Sequence, residues 1–379
     1  MPISRRDWLL AAGAGAALEP GCQRGKKPST NYGYRGFAFV ANSEGKAVAA
    51  VDLNAFAVVR HIALDANPVQ MVDHPSRPFV YAVTPASAEL AEIGVDRLEV
   101  VRKAKLGATP AYAKISSDGR FLWALCGQAR QLVRVPVDQF KPDLRINLPA
   151  EATDFDLGPP EGRARDRIAV SLGNQVGLYD AGSGKALPAI PVEGQAGALM
   201  FRKDGRQLLI ANRSARQLLI VDLASGRPLA SLPLAVRPDR LCSKDDGGQI
   251  FISGEGMDAV VTVYPFQSEV GNTMLAGRSP GHMAVSAAWD YLLVANPESN
   301  DVTIVNIANQ RVLAVAPVGK RPEFIAVTPD GNYALVLNRE SGDMAVLHLV
   351  IEPRRSRAAA IAARIPVGSG PVGAVVRSL

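Results

Sequence analysis

Residues 321–350, "RPEFIAVTPDGNYALVLNRESGDMAVLHLV", hold three short apolar runs and two kinds of break. Phe324 to Thr328 is the first run and ends at Pro329-Asp330-Gly331, the chemistry of a tight hairpin turn. There the Asp side chain closes the turn and Gly takes a positive φ. Tyr333 to Asn338 is the second run, and a polar turn leads to the third, Met344 to Leu349. Ser117-Asp118-Gly119 and Lys203-Asp204-Gly205 repeat the hairpin signal far upstream. The unit is three antiparallel strands, a to c, and a fourth, d, follows it in stretches such as "RVLAVAPVGKRP".

The unit recurs. The end of strand b, as in "FVAN" at Phe39 to Asn42, returns as "LIAN", "LVAN" and "LVLN" ending at Asn212, Asn296 and Asn338. Weaker copies end at Thr84, Cys126, Ser171 and Gly254. The spacing is 42 residues throughout except for one of 45 and one of 41, and there are eight copies. Four antiparallel strands in about 42 residues is the arithmetic of a β-propeller blade. A lone blade cannot bury both faces, so blades must stack and finally close a ring. The 34 Gly and 27 Pro spread along 379 residues, with almost no amphipathic helical pattern, agree with an all-β chain.

"IPVGSGPVGAVV", "FIAVTPDGNYALVLN" and "LLVANPESNDVTIVNIANQRVLAVAPVGKRP" resemble the YVTN-type repeats of exported bacterial and archaeal propellers. The resemblance runs from about Gly36 to Leu379, is strongest in the last three units and faintest over residues 85 to 200. It implies a fold and a scaffold, with function left to the site. Seven blades is the commoner number in that family, whereas the a strands near Gln70, Tyr112, Asp154, Ala198, Arg240, His282, Phe324 and Gly373 predict eight.

The chain stops after a single strand of a new unit, "PVGAVVRSL". Its first strand, Gly36 to Asn42, is a b strand. Blade one is therefore expected to take strand a from the C-terminus and strands b, c and d from the N-terminus, which removes two open sheet edges.

Residues 1–22, "MPISRRDWLLAAGAGAALEPGC", resemble a twin-arginine export signal, with Arg5 and Arg6 before a weakly apolar run too short to span a bilayer. Cys22 stands where a lipoprotein cysteine would be acylated, although Glu19 and Pro20 depart from that pattern. The expected organisation is an export signal over 1–22, a basic tether over 23–35 and a propeller over 36–379. The expected compartment is the periplasm or cell envelope. Cys126 and Cys242, three blades apart, are expected to form no disulfide.

A net charge of +6 and 6% aromatic residues give little basis for nucleic-acid binding. The chain has no Cys-x-x-Cys, no Cys-x-x-Cys-His and no Walker loop, and no Gly-x-Ser-x-Gly elbow is expected. No catalytic residue is assigned, and a single channel histidine makes no metal constellation.

What remains is the row of a-strand positions near the top of the channel. Arg240 and His282 fall in adjacent blades, with Arg237, Arg278 and Arg321 in loops above them, a basic sector suited to a carboxylate or phosphate. Ion pairing with Glu255, Asp258, Glu298 and Asp301 of the neighbouring loops is the competing account of these arginines. Asp154, with Tyr112 and Gln70, completes the candidate ligand row, and for Asp154 and Asp156 a role in binding backbone amides competes with a role as base or calcium ligand. Asn42, Asn212, Asn296 and Asn338 are expected to cap the turns that follow them.

The expected function is a non-catalytic binding or interaction module for a small anionic ligand or an envelope protein. The alternative is a propeller enzyme or cofactor carrier, lactonase-like or haem-domain-like, using the same channel. On the opposite face, "PPEGRARDR" (Arg163, Arg165, Arg167) and "EPRRSRAAA" (Arg354, Arg355, Arg357) lengthen two loops. Together with the tether, they would turn that face toward an anionic bilayer if Cys22 is acylated.

Overall fold

A computed structural model describes residues 33–349 and 360–378. The export signal, Cys22, all but the end of the tether and the Arg354, Arg355 and Arg357 loop lie outside the described residues. Among the described residues there are eight four-stranded antiparallel sheets and no α-helix, only a single 3-10 turn at Pro85–Ser87.

Blade one pairs Gly36–Asn42 with Ala47–Asp52 on one side and with Pro371–Ser378 on the other, in a register that sets Phe37 opposite Arg377 and Val40 opposite Ala374. The C-terminal strand thus supplies strand a of the first blade, as expected. It also reaches beyond it: Arg377 Nη1 lies 3.1 Å from Asp73 and 2.6 Å from the His74 carbonyl, both in blade two.

Alternation along each strand places every second side chain on one blade face, and each face meets the next blade. Eight buried apolar clusters result, one at each junction between neighbours. Trp123, Leu132, Phe155 and Val170 join blades three and four, for example, and Val40, Val346, Leu337 and Ala374 join blades eight and one. The junction between blades eight and one is as apolar as the other seven, so burial closes the ring as fully as hydrogen bonding does.

The turns behave as their residues dictate. Gly119, Gly205 and Gly331 sit at φ of 72°, 63° and 73°, where a Cβ is disfavoured. Asp118, Asp204 and Asp330 accept the amide two residues on, at 3.0, 3.0 and 3.1 Å. Turn capping by the four asparagines holds only for Asn212, whose Oδ1 accepts Ala215 N–H at 3.1 Å. In blades one, seven and eight it is the Asn carbonyl that accepts a turn amide, from Gly45, Asn300 and Gly342 respectively. The side chains of Asn42, Asn296 and Asn338 turn inward instead, donating to Val367 O, Asp301 and Asp343.

Candidate functional site

The a strand is the innermost of each blade, so one side of its backbone has no neighbouring strand to pair with. In blade six, Lys244 N–H bonds Gln249 O, which by alternation leaves the amides of Leu241 and Ser243 facing away from the sheet. The same alternation in blade seven frees the amide of Met283.

At four places the predicted channel row answers the corresponding free amide of the next blade. Gln70 Oε1 accepts Ala113 N–H at 2.8 Å, Tyr112 Oη accepts Phe155 N–H at 2.5 Å, Asp154 Oδ2 accepts Leu199 N–H at 2.7 Å and His282 Nδ1 accepts Ile325 N–H at 3.3 Å. Each is a latch from one blade to the inner strand of the next. Asp156 adds a second, accepting Phe201 N–H at 2.8 Å. Asp154 and Asp156 thus each accept a backbone amide of blade five, as one of the two accounts offered by the sequence expects.

The row fails at four places, where Ala198, Arg240, Phe324 and Gly373 carry no acceptor. The amides of Leu241 and Met283, which follow Ala198 and Arg240 around the ring, have no side chain to receive them. Both open into the channel beside Arg240 and His282. A cavity of about 760 Å³ lies there, with Gly197, Ala198 and Met200 as its floor, and a second of about 1020 Å³ shares Asp239, Arg240 and His282 with it.

Of the predicted basic sector, Arg240 and His282 are brought together and the other three are not. Arg237 pairs with Glu255 at 3.1 Å, and Arg321 with Glu323 at 2.6 Å and Glu340 at 3.7 Å. Arg278 is exposed on the rim. Arg213, which the sequence reading passed over, lines the cavity but is held by Asp239 and Glu255 from the next blade. Arg240 is exposed to the channel and makes no ion pair or hydrogen bond among the described residues.

His282 lies against Phe324, ring centroids 4.3 Å apart. It is half-buried and open toward the channel. Burial first, and the Arg240 charge second, push its pKa down to about 3. The ring is therefore neutral at pH 7, and since Nδ1 accepts from Ile325 the proton sits on Nε2. This gives a pH dependence with a definite sign. Below about pH 6.5 the unfolded chain protonates this histidine and the folded one does not, so it draws stability away as pH falls from 6.5 toward 3. His282→Gln is expected to flatten part of the acid limb of a pH-resolved thermal melt. An unchanged acid limb would contradict the assignment.

Across the floor stands a different chemistry. Tyr112 Oη donates to Asp154, and Lys114 Nζ lies 2.8 Å from Asp156. Burial raises the Asp154 carboxyl against the opposing pull of Lys114. Burial works against the Lys114 charge too, but Asp156 and Asp154 outweigh it and its pKa is raised.

The nucleophile options stay thin. Burial pushes the thiols of Cys126 and Cys242 up to about 11 and about 12, so neither is a thiolate at neutral pH. Against the expectation of no Gly-x-Ser-x-Gly elbow, Gly277-Arg278-Ser279-Pro280-Gly281 does have that spacing, but it forms a turn between two strands. Ser279, at φ 56°, has the same geometry as Arg321 one blade later at φ 56°, each amide bonding Asp258 or Asn300. The positive φ thus belongs to the repeat, and Ser279 makes no hydrogen bond to His282. Among the described residues no group of acids, histidines and cysteines is placed to hold a metal ion. Among the described residues no helix is long and apolar enough to cross a membrane.

No protein-family profile matches the chain, and no curated sequence does. Solved structures do. The dihydro-heme d1 dehydrogenase NirN in complex with DHE superposes with a TM-score of 0.76 at 17% identity, over 90% of this chain and 75% of that one. A putative 6-phosphogluconolactonase from Bacteroides fragilis gives 0.60 at 15%, over 93% and 100%, and Kuenenia stuttgartiensis hydrazine synthase gives 0.55 at 16%, over 83% and 92%. The chain is an eight-bladed β-propeller. At these identities the likeness is one of fold, and the chemistry must come from the channel itself.

Proposed function

We propose that the protein is an exported propeller of the YVTN-repeat type that acts as a binding module, capturing a small anion at the mouth of its central channel. The observation that carries the reading is Arg240. Around the channel and rim Arg213, Arg237, Arg321 and Arg339 are each matched by a carboxylate, while Arg240 is matched by none and stands beside three further donors. These are His282 Nε2–H and the amides of Leu241 and Met283. A guanidinium with no carboxylate partner, next to three further donors, suits a carboxylate or phosphate.

The test is calorimetric titration with acetate and with inorganic phosphate. Binding should weaken with salt, and Arg240→Gln should lower the affinity at least about tenfold, roughly 1.4 kcal/mol. Equal heats from wild type and variant would overturn the reading.

The likeness to NirN raises a second use of the channel, as a seat for a haem-like tetrapyrrole. The residues do not fit ligation through His282. A ligating histidine donates its far N–H and offers the other nitrogen, whereas here Nδ1 accepts from Ile325 and the channel-facing Nε2 carries the proton. A Soret band in protein purified from its host would restore that use.

We place the protein in the cell envelope, anchored through an acylated Cys22. Cys22→Ala should move it from the membrane to the soluble fraction, and an unchanged distribution would remove the anchor.

A further inference from the structure

The 760 Å³ cavity is dipolar. Its floor is blade five, where Gly197 and Ala198 leave the channel wall low. On one flank, blades six and seven offer the four donors just described. On the other, blade four offers Asp154 and Asp156. A carboxylate has about four acceptor positions. Asp154 has three of them filled, by Tyr112, Phe155 N–H and Leu199 N–H, and Asp156 has two, by Lys114 and Phe201 N–H. Three acceptor positions are therefore open on that flank. Two carboxylates against one ammonium leave it with net negative charge when both are ionised.

From this arrangement we propose that the channel site recognises a zwitterion, an amino carboxylate whose carboxylate meets Arg240 and His282 while its ammonium meets Asp154 and Asp156 across the floor of blade five. The proposal rests on the anion reading above and adds the second pole. A simple anion leaves the acidic flank without a partner and pushes its own charge toward it. A simple amine does the same to Arg240. A molecule with both poles satisfies both walls, and opposite charges on one ligand bring no net charge into a cavity whose own charges nearly cancel. Ala198 makes the room. Phe324 occupies the same row position in blade eight, so a phenylalanine is compatible with the strand at that place.

The experiment is calorimetric titration of the full chain with ω-amino acids from glycine to 6-aminohexanoate, each against the carboxylate and the amine of the same length. At least one amino acid should bind ten or more times tighter than its two single-charge counterparts. Asp156→Asn should lower that affinity about tenfold while leaving acetate binding unchanged or stronger. Ala198→Phe should abolish it, with an unaltered thermal melt showing that the variant folds. If the carboxylate binds as tightly as its amino acid, the zwitterion is overturned and the anion site stands. If nothing in the series binds and phosphate and acetate also fail, both are overturned.

Discussion

A chain lacking residues 371–379 is expected to lose its cooperative thermal transition and to aggregate. Those residues are the whole of strand a in blade one. Their removal opens the edge of Gly36–Asn42 to any other strand edge in solution, and it strips Ala374 and Val376 from the cluster that joins blades eight and one. It also removes Arg377, the cross-link to Asp73 and to the carbonyls of His74 and Arg77 in blade two. A ring differs from an open solenoid in that cutting one junction frees the two terminal blades at once. The loss is on the order of the total stability of a domain, about 5–15 kcal/mol. Light scattering during a thermal ramp, with size-exclusion chromatography beforehand, reads the outcome. A truncated monomer that melts cooperatively within a few degrees of the full chain would show that pairing between the termini is not what holds the ring.

The second large effect is expected inside blade two. Glu92 has 1% of its side chain exposed and receives both Nε and Nη2 of Arg102, at 2.9 and 2.7 Å. Arg102 goes on to donate to the carbonyls of Val137 and Asp138 in blade three and lies over the Phe140 ring, so it ties two blades together. Arg102→Ala leaves a carboxylate out of water with no cation, a change that typically costs about 3–5 kcal/mol. Replacing both members by apolar residues of similar volume, as in Glu92→Leu with Arg102→Met, should recover most of that loss, because no uncompensated charge is left behind. Urea midpoints of the single and double variants measure both numbers. A single variant within about 1 kcal/mol of wild type, a loss no larger than that of an exposed pair, would mean the pair is effectively solvated.

The repeat was legible because strand ends recur as small signatures at a fixed spacing, and the C-terminal strand was legible because the unit it begins is missing its other three strands. The channel was legible only in part. The row from Gln70 to Gly373 was found as a candidate ligand row, but not that Gln70, Tyr112, Asp154 and His282 each receive an amide of the next inner strand. The signal was present as an offset of 43 residues from Gln70 to Ala113 and from Tyr112 to Phe155, one more than the repeat. Recognising it requires knowing that strand a has an open edge facing its neighbour. The rim arginines were legible in part: Arg237 meets Glu255, a partner the sequence offered, whereas Arg321 meets Glu323 and Glu340 rather than Glu298 or Asp301. Ala198 read as a blank in the row and is the residue that makes the cavity.

The account depends most on the wall formed by Arg240 and His282, and the nuclear magnetic resonance of the His282 ring nitrogens tests it most directly. At pH 5 the ring should be neutral, with its proton on Nε2. Its midpoint, far below the usual 6.5, should rise when inorganic phosphate is added or when Arg240 is replaced by Gln. A ring that titrates near 6.5 and ignores both phosphate and the substitution would contradict the donor wall, and the anion site with it.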